Sequence, residues 1–385
     1  MQKIKLPNIL SLIIVLIILT GCESKKKTTL LFVGSFTDKK PGKGISIYEF
    51  NNETGEAELK FELDSLTNSS FLRLSPNGKY LYSVIESQMA HHGKVAAYSI
   101  DSLEGKISLL NMQDCGGRNP AHLEIDKAGQ YLINSNYTDP SLSVFKIKSD
   151  GSLNKHAQTI SFQGSSIIET RQKTAHIHSS NFSPDGSYLF AQDLGADKIR
   201  KFNVSSNKDG LISLDRDPPI DVKPGSGPRH FTFHPNGKYG YGIAELSGKV
   251  TAYQLVSDGL EYIEDYQANS KRQDIYRSAD IHISPDGKFL YASNRGSGEN
   301  TIAIFSINSK DGKLKLVGHE STYGNHPRNF AIDPSGDYLL VANQFSNNIV
   351  IFRRNLKTGK LSKLAHELSV DNPSSLQMRT YDFHQ

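Results

Sequence analysis

The sequence predicts an all-β protein, a seven-bladed β-propeller whose ring is closed by pairing of the N- and C-terminal strands. Three observations predict it: a phrase recurring about every fifty residues, strand and turn chemistry inside each copy, and chain ends that each carry part of one more copy. The phrase reads SPNGKYLYSVIE from Ser75, DKAGQYLINSNY from Asp126 and SPDGSYLFAQDL from Ser183. It returns as HPNGKYGYGIAE from His234, SPDGKFLYASNR from Ser284 and DPSGDYLLVANQ from Asp333. Its glycines, Gly78, Gly129, Gly186, Gly237, Gly287 and Gly336, are separated by 51, 57, 51, 50 and 49 residues. A period of that length marks a propeller, solenoid or array.

Each copy supplies four strands in order. An apolar run comes first (Phe71-Leu72-Arg73-Leu74, Phe330-Ala331-Ile332), then a Pro-Asp/Asn/Ser-Gly turn, then an aromatic and β-branched run. A third strand follows, as in residues 94–100 and 300–307, and Asp-Gly turns (Asp150-Gly151, Asp311-Gly312) lead to a short outer strand. Four strands make one blade. Six copies are explicit, and the ends assemble the seventh. Residues 30–37 resemble the second strand, residues 44–50 the third, and Pro373 to Phe383, opening Pro-Ser-Ser-Leu, supplies the missing inner strand. Closure removes the exposed sheet edges of the ring.

Composition narrows the class. A formal charge of +4 over 385 residues gives no footprint for nucleic acid. Two cysteines make neither a disulfide framework nor a four-thiolate zinc site. With 17 Tyr and 18 Phe but no Trp, WD-type repeats are disfavoured. At the start, Lys3 and Lys5 precede an apolar run, Ile9 to Leu19, too short for the roughly 20 residues a membrane span needs. The stretch Leu19-Thr20-Gly21-Cys22 resembles a bacterial lipobox. The expected organisation is therefore a lipoprotein signal peptide over 1–21, a polar tether over 22–29 beginning at a lipidated Cys22, and the propeller over 30–385. That places the protein at the cell envelope on a lipid anchor, on the periplasmic or outer-membrane side, and leaves Cys115 as the unmodified thiol.

Geometry then selects candidate site residues. If the Pro-Asp-Gly turns lie at one mouth of the channel, residues eight before and eight after each glycine gather at the other. Eight before are Ser70, Ala121, His178, Arg229, Ala279 and Arg328; eight after are Glu86, Tyr137, Leu194, Glu245, Arg295 and Gln344. One position inward come His122, His230, Asp280 and Asn329, then Asn136, Asp193, Asn294 and Asn343. These positions vary and are polar where the core positions repeat. Arginines converging without matching carboxylates call for an anionic ligand. Polar channel residues also serve to satisfy strand-end backbone groups, which is the simpler role for any one of them. His176 and His178, two apart on a strand, share a face that could meet a metal, but no third ligand is evident and none is assigned.

The segments His176-Ile177-His178-Ser179, Gln192 to Ile199, Gly225-Ser226-Gly227-Pro228-Arg229-His230, Ala279 to Gly287 and Pro327-Arg328-Asn329-Phe330 closely resemble the seven-bladed lactonase family. That family includes propeller-type 6-phosphogluconolactonases and carboxymuconate cyclases. The likeness runs from about Leu30 to the C-terminus, and it implies His178, Glu245, Arg229 and Arg295 as catalytic residues. His122, Arg328, His230 and Glu86 are added from position as substrate-binding. Ala244-Glu245-Leu246 stands where the family has Asn-Glu-Leu, and Ile85-Glu86 where Asn-Glu is commoner.

The implied activity is hydrolysis of a sugar-acid lactone, 6-phosphogluconolactone or a related aldonolactone, by a monomer without cofactor or metal. Glu245 is expected as base for water and His178 as proton donor or carbonyl polariser, with their roles open to exchange. Arg229 and Arg295 would hold the substrate's acid group or the oxyanion. A carboxymuconate-type cycloisomerase, a non-catalytic envelope binding propeller and a metal-dependent lactonase are the competing readings.

Overall fold

The computed structural model describes residues 26–205, 218–273, 276–296 and 298–383. Among these, seven four-stranded antiparallel sheets surround a channel, as the fifty-residue period predicts. The innermost strands, in ring order, are Pro373–Phe383, Leu72–Leu74, Pro120–Ile125, Ile177–Phe182, Pro228–Phe233, Ser278–Ile283 and Pro327–Ile332. They head blades 1 to 7. The only helical element among the described residues is a 3-10 turn, Gln344–Ser346. No described helix is long and apolar enough to cross a membrane.

Blade 1 joins the two chain ends. Pro373–Phe383 lies antiparallel to Lys26–Ser35, which is followed outward by Ile45–Phe50 and Ala57–Leu63. The ladder begins at Lys26 opposite Phe383, so the tether expected over 22–29 yields its last four residues to the sheet. Thr29 and Thr380 join hydroxyls at 2.8 Å, and Lys27 pairs with Asp382 at 3.5 Å; the C-terminal strand offers these residues partners that a solvated tether would lack. The signal segment, Cys22 and residues 23–25 lie outside the described residues.

Period-2 alternation gives each strand two apolar faces, and these meet between blades rather than within them. Seven buried apolar clusters occupy the seven blade interfaces, among them Tyr239, Tyr241 and Val250 of blade 5 against Leu290, Ala292 and Phe305 of blade 6. Tyrosine hydroxyls add a polar staple at the same seams. Tyr82 donates to the Gly151 carbonyl (2.9 Å), Tyr241 to Gly312 (2.8 Å) and Tyr291 to Gly359 (2.8 Å), each on the next blade. Those glycines sit at φ +83°, +72° and +74° in the outer Asp-Gly or Thr-Gly turns, pressed against Tyr80, Tyr239 and Phe289. A side chain there would need the left-handed backbone and the ring's space at once. Blades lacking Trp thus lock through Tyr and Phe.

The inner hairpin turns are alike in all six explicit copies. Gly78, Gly129, Gly186, Gly237, Gly287 and Gly336 all have φ between +70° and +80°, and each donates its N–H to the carbonyl three residues back. Ser75, Ser183 and Ser284 bond the side chain two residues on, at 2.7, 2.5 and 2.6 Å. Those three turns bond within themselves, and His234 Nε2 reaches the Gly287 carbonyl of the next blade at 2.9 Å.

Candidate active site

At the opposite mouth the ladder is interrupted in six of the seven blades. The inner strands of blades 1, 3, 4, 5 and 7 each start with a β-bulge that lets one extra residue slip out of register, respectively Ser374, Ala121, His178, Arg229 and Arg328. Blade 6 bulges over Ala279 and Asp280. A bulge re-aims a side chain without ending the strand, and it turns the positions eight before the glycines into a cavity of about 510 Å³. The strand ends bring Tyr137, Glu245, Arg295 and Gln344 to the same cavity. Counting residues from the turns therefore leads to this cavity.

Glu245 organises it. Its Oε2 accepts from Arg229 Nε at 3.0 Å and Arg295 Nη2 at 2.9 Å, and its Oε1 accepts from Arg171 Nη2 at 2.7 Å. Burial alone would lift the Glu245 carboxyl, but Arg295, Arg229 and Arg171 outweigh burial and hold it well below the ordinary carboxylate range. It is an anion at any physiological pH.

Behind Arg229 stands a relay of fixed partners. Arg229 Nη1 donates to the Ala279 carbonyl at 2.5 Å and to His230 Nε2 at 3.2 Å. With Nε2 accepting, His230 carries its proton on Nδ1 and gives it to Asp280 Oδ1 at 2.7 Å. Asp280 is held in turn by His282, by the Asn329 amide and by the Phe330 N–H. Burial and Arg229 push the His230 pKa down to about 4, against the pull of Asp280, so it works as a neutral orienting group. Arg295 is braced likewise, by the Arg277 carbonyl (3.0 Å) and His326 Nε2 (3.1 Å).

His178 faces this array from blade 4. It packs edge-on against Tyr137 and His230, with ring centroids 5.7 and 5.1 Å away, and its buried Nδ1 has no hydrogen-bond partner. Burial, followed by Arg229, His230, Arg328 and Arg295, holds it well below the usual histidine range. In a neutral imidazole one nitrogen donates and the other accepts, so His178 brings an uncommitted ring to the site.

Among the sequence candidates, His178, Glu245, Arg229, Arg295, Arg328 and His230 converge on the cavity. Glu86 and His122 do not. Glu86 sits at φ +59°, which turns its carboxylate away to Lys94 (2.8 Å) and His91 (3.1 Å). His122 lies one position deeper because Ala121 is the bulged residue of its strand; it packs against Phe71 and His230 below the cavity. His176 parts from His178 at the bulge, stacks on Tyr137 and bonds its carbonyl through Nδ1 at 2.8 Å. Among the described residues no three His, Cys, Asp or Glu side chains are grouped to hold a metal ion.

Three ionisable cavity residues fall outside the hairpin count. Arg171 comes from the segment between blades 3 and 4, anchored by buried Gln172, whose amide donates to the Leu194 carbonyl at 2.9 Å. The glycine spacing of 57 where the others are 49–51 marks that insertion in the sequence. Arg277 and His326 sit just before inner strands, and only their cationic or aromatic character hints at them.

Residues 30–378 match the family described as lactonase, 7-bladed beta-propeller. A 6-phosphogluconolactonase of Formosa agariphila is 66% identical over 351 residues, spanning 91% of this chain and 99% of that one. A 6-phosphogluconolactonase of Bacillus subtilis is 33% identical over 81% of this chain and 87% of its own. The solved structure of a periplasmic gluconolactonase from Pseudomonas aeruginosa superposes with a TM-score of 0.85 at 30% identity, covering 92% of this chain and 99% of that one.

Proposed function

The chain belongs to the lactonase family of seven-bladed β-propellers, and we propose that it hydrolyses a sugar-acid lactone, 6-phosphogluconolactone or a related aldonolactone, at the arginine-rich mouth of its channel. The observation that carries this reading is a neutral His178 with an unpartnered ring nitrogen, lining the same cavity as the guanidiniums that Glu245 holds in place. A lactone is an activated ester. Its hydrolysis needs a base for water and a field for the tetrahedral oxyanion.

The surroundings favour His178 as the base and Glu245 as the clamp. The Glu245 oxygens are taken by three guanidiniums, whereas neutral His178 keeps an unpartnered ring nitrogen. Water attacks the carbonyl carbon as the His178 imidazole takes its proton. The carbonyl oxygen becomes the oxyanion, stabilised by Arg229 and Arg295, whose positions Glu245, His230 and His326 fix. On collapse the C–O ring bond breaks, and the proton on His178 passes to the departing ring oxygen. The products are the hydroxy acid and the starting enzyme.

The deciding experiment is a panel of phosphorylated and plain gluconolactones and muconolactones, run in oxygen-18 water with and without chelator. Turnover with one labelled oxygen per product, insensitive to chelator, is expected. Turnover without label would make the enzyme a cycloisomerase, no turnover would make it a binding propeller, and loss of turnover with chelator would require a metal.

We propose that the mature protein is lipid-anchored at the cell envelope, on the support of Lys3, Lys5, the short apolar run and Cys22. Labelled fatty acid should enter the protein and be lost in Cys22→Ser; labelling that survives the substitution would remove the anchor.

A further inference from the structure

Lactone opening moves protons at two places: one leaves the attacking water, and one must reach the ring oxygen as the C–O bond breaks. His178 is buried and wedged between the rings of Tyr137 and His230, whose centroids lie 5.7 and 5.1 Å away. So packed, it has no room to swing from the entering oxygen to the departing one. The charged groups around it cannot serve the ring oxygen either. Glu245 is an anion, guanidiniums do not release their protons, and His230 has given its own to Asp280.

Tyr137 is placed differently. It follows the second strand of blade 3, Tyr131–Asn136, and lines the cavity. Its N–H donates to the Asn119 carbonyl at 3.0 Å, and its own carbonyl meets His176 Nδ1 at 2.8 Å. Its ring lies flat on His176, with centroids 4.3 Å apart and planes 5° from parallel, while His178 crosses it edge-on. Backbone and ring are thus both fixed, and the hydroxyl has one direction to point. The phenol oxygen accepts from Arg171 Nη2 at 3.3 Å, and among the described residues no acceptor takes its proton. Burial, followed by Glu245, raises the Tyr137 pKa against the pull of Arg171 and Arg229. The phenol therefore keeps its proton at neutral pH, within reach of the groups that do the chemistry.

We propose that Tyr137 is the proton donor to the departing ring oxygen. This rests on the lactonase reading above and adds a residue to its reaction. As the C–O bond breaks, its electron pair stays on the ring oxygen, and the Tyr137 O–H proton moves there to make the product hydroxyl. The phenolate left behind, steadied by the Arg171 N–H, takes the proton that His178 received from water. Both residues end as they began, and His178 never has to leave its packing.

Tyr137→Phe tests this, because it keeps a ring on His176 and leaves Arg171 its 2.7 Å bond to Glu245. kcat and KM are measured on glucono-1,5-lactone, its 6-phosphate and the sulfur analogue 5-thioglucono-1,5-lactone. Melting curves confirm folding, and calorimetric titration of 6-phosphogluconate reads product binding. The oxygen lactones should lose about 10²–10⁴ in kcat, with KM and product affinity unchanged. The thiolactone should be spared, since a thiolate leaves without a proton. An equal fall on oxygen and sulfur lactones, a loss confined to KM, or wild-type kcat on the oxygen lactones would overturn the inference. If wild type does not open the thiolactone, oxygen-18 water decides. An intermediate that cannot expel its ring oxygen reverts, so Tyr137→Phe should return label to unreacted lactone, and lactone recovered unlabelled overturns the inference. If wild type opens no lactone at all, the lactonase reading falls and takes Tyr137 with it; the wild-type rate tells the two failures apart.

Discussion

The two mouths of the channel are made from the two ends of the same hairpins, yet they are built on opposite rules. At the turn mouth, the six explicit hairpins repeat one solution, a glycine at positive φ and a side chain bonded two residues away. A contact between neighbouring turns, such as His234 Nε2 to the Gly287 carbonyl, is added to that plan. At the bulged mouth no two blades agree, and the groups complete one another across the ring: Glu245 of blade 5 is met by Arg295 of blade 6 and by Arg171 from the blade 3–4 connection. Repetition serves closure and variation serves chemistry. Substitutions at one mouth should therefore change rate, and at the other stability.

The sharpest contrast is His178→Ala. Loss of a general base predicts a fall in kcat/KM of about 10²–10⁴ with a melting temperature close to wild type. The wild-type profile carries a further sign. The base must be unprotonated, and burial together with Arg229, His230, Arg328 and Arg295 lowers its pKa. Activity should accordingly persist from neutral pH into the acid range and decline only below the ordinary histidine value. A decline in kcat/KM centred at or above pH 6.5 would assign the base elsewhere.

Next in size is Gly312→Ala on the seam between blades 5 and 6. Its Cβ would lie 2.5 Å from the Tyr239 ring at φ +72°. Left-handed strain and overpacking together predict a cost of about 2–4 kcal/mol, read by chemical denaturation, with kcat/KM of the folded enzyme unaltered. Smallest is Tyr241→Phe, which removes one buried hydroxyl staple to Gly312 and should cost about 1 kcal/mol. A change in kcat/KM in either variant would break the division between the bulged mouth, which carries rate, and the repeated turns and seams, which carry stability.

The fold was readable because its period is written in glycines that only a left-handed turn requires. Much of the site was readable for the same reason: a hairpin of constant length carries each residue a constant distance from its turn. The limits were local. Glu86 and Glu245 occupy the same repeat position, but positive φ at Glu86 sends one carboxylate to Lys94 while the other meets three arginines. The inner asparagine row proved to be backbone repair: Asn136, Asn294 and Asn343 donate to the carbonyls of Cys115, Ala268 and Thr322. Arg171 lies in an insertion, where counting from a turn has no meaning, although the long 57-residue spacing announces it. The role of Glu245 could not be read from its identity, since three cations set its basicity.

The clasp between Lys26–Ser35 and Pro373–Phe383 sets the order of events during synthesis. The most N-terminal described strand waits for the most C-terminal one, so the contact between Lys26 and Phe383 bridges widely separated parts of the chain, and the entropy of bringing such distant segments together delays it. Until then the N-terminal strand remains an open edge able to pair with another nascent chain. A ribosome product that stops one strand short keeps that edge permanently. Only the full-length chain can hide it.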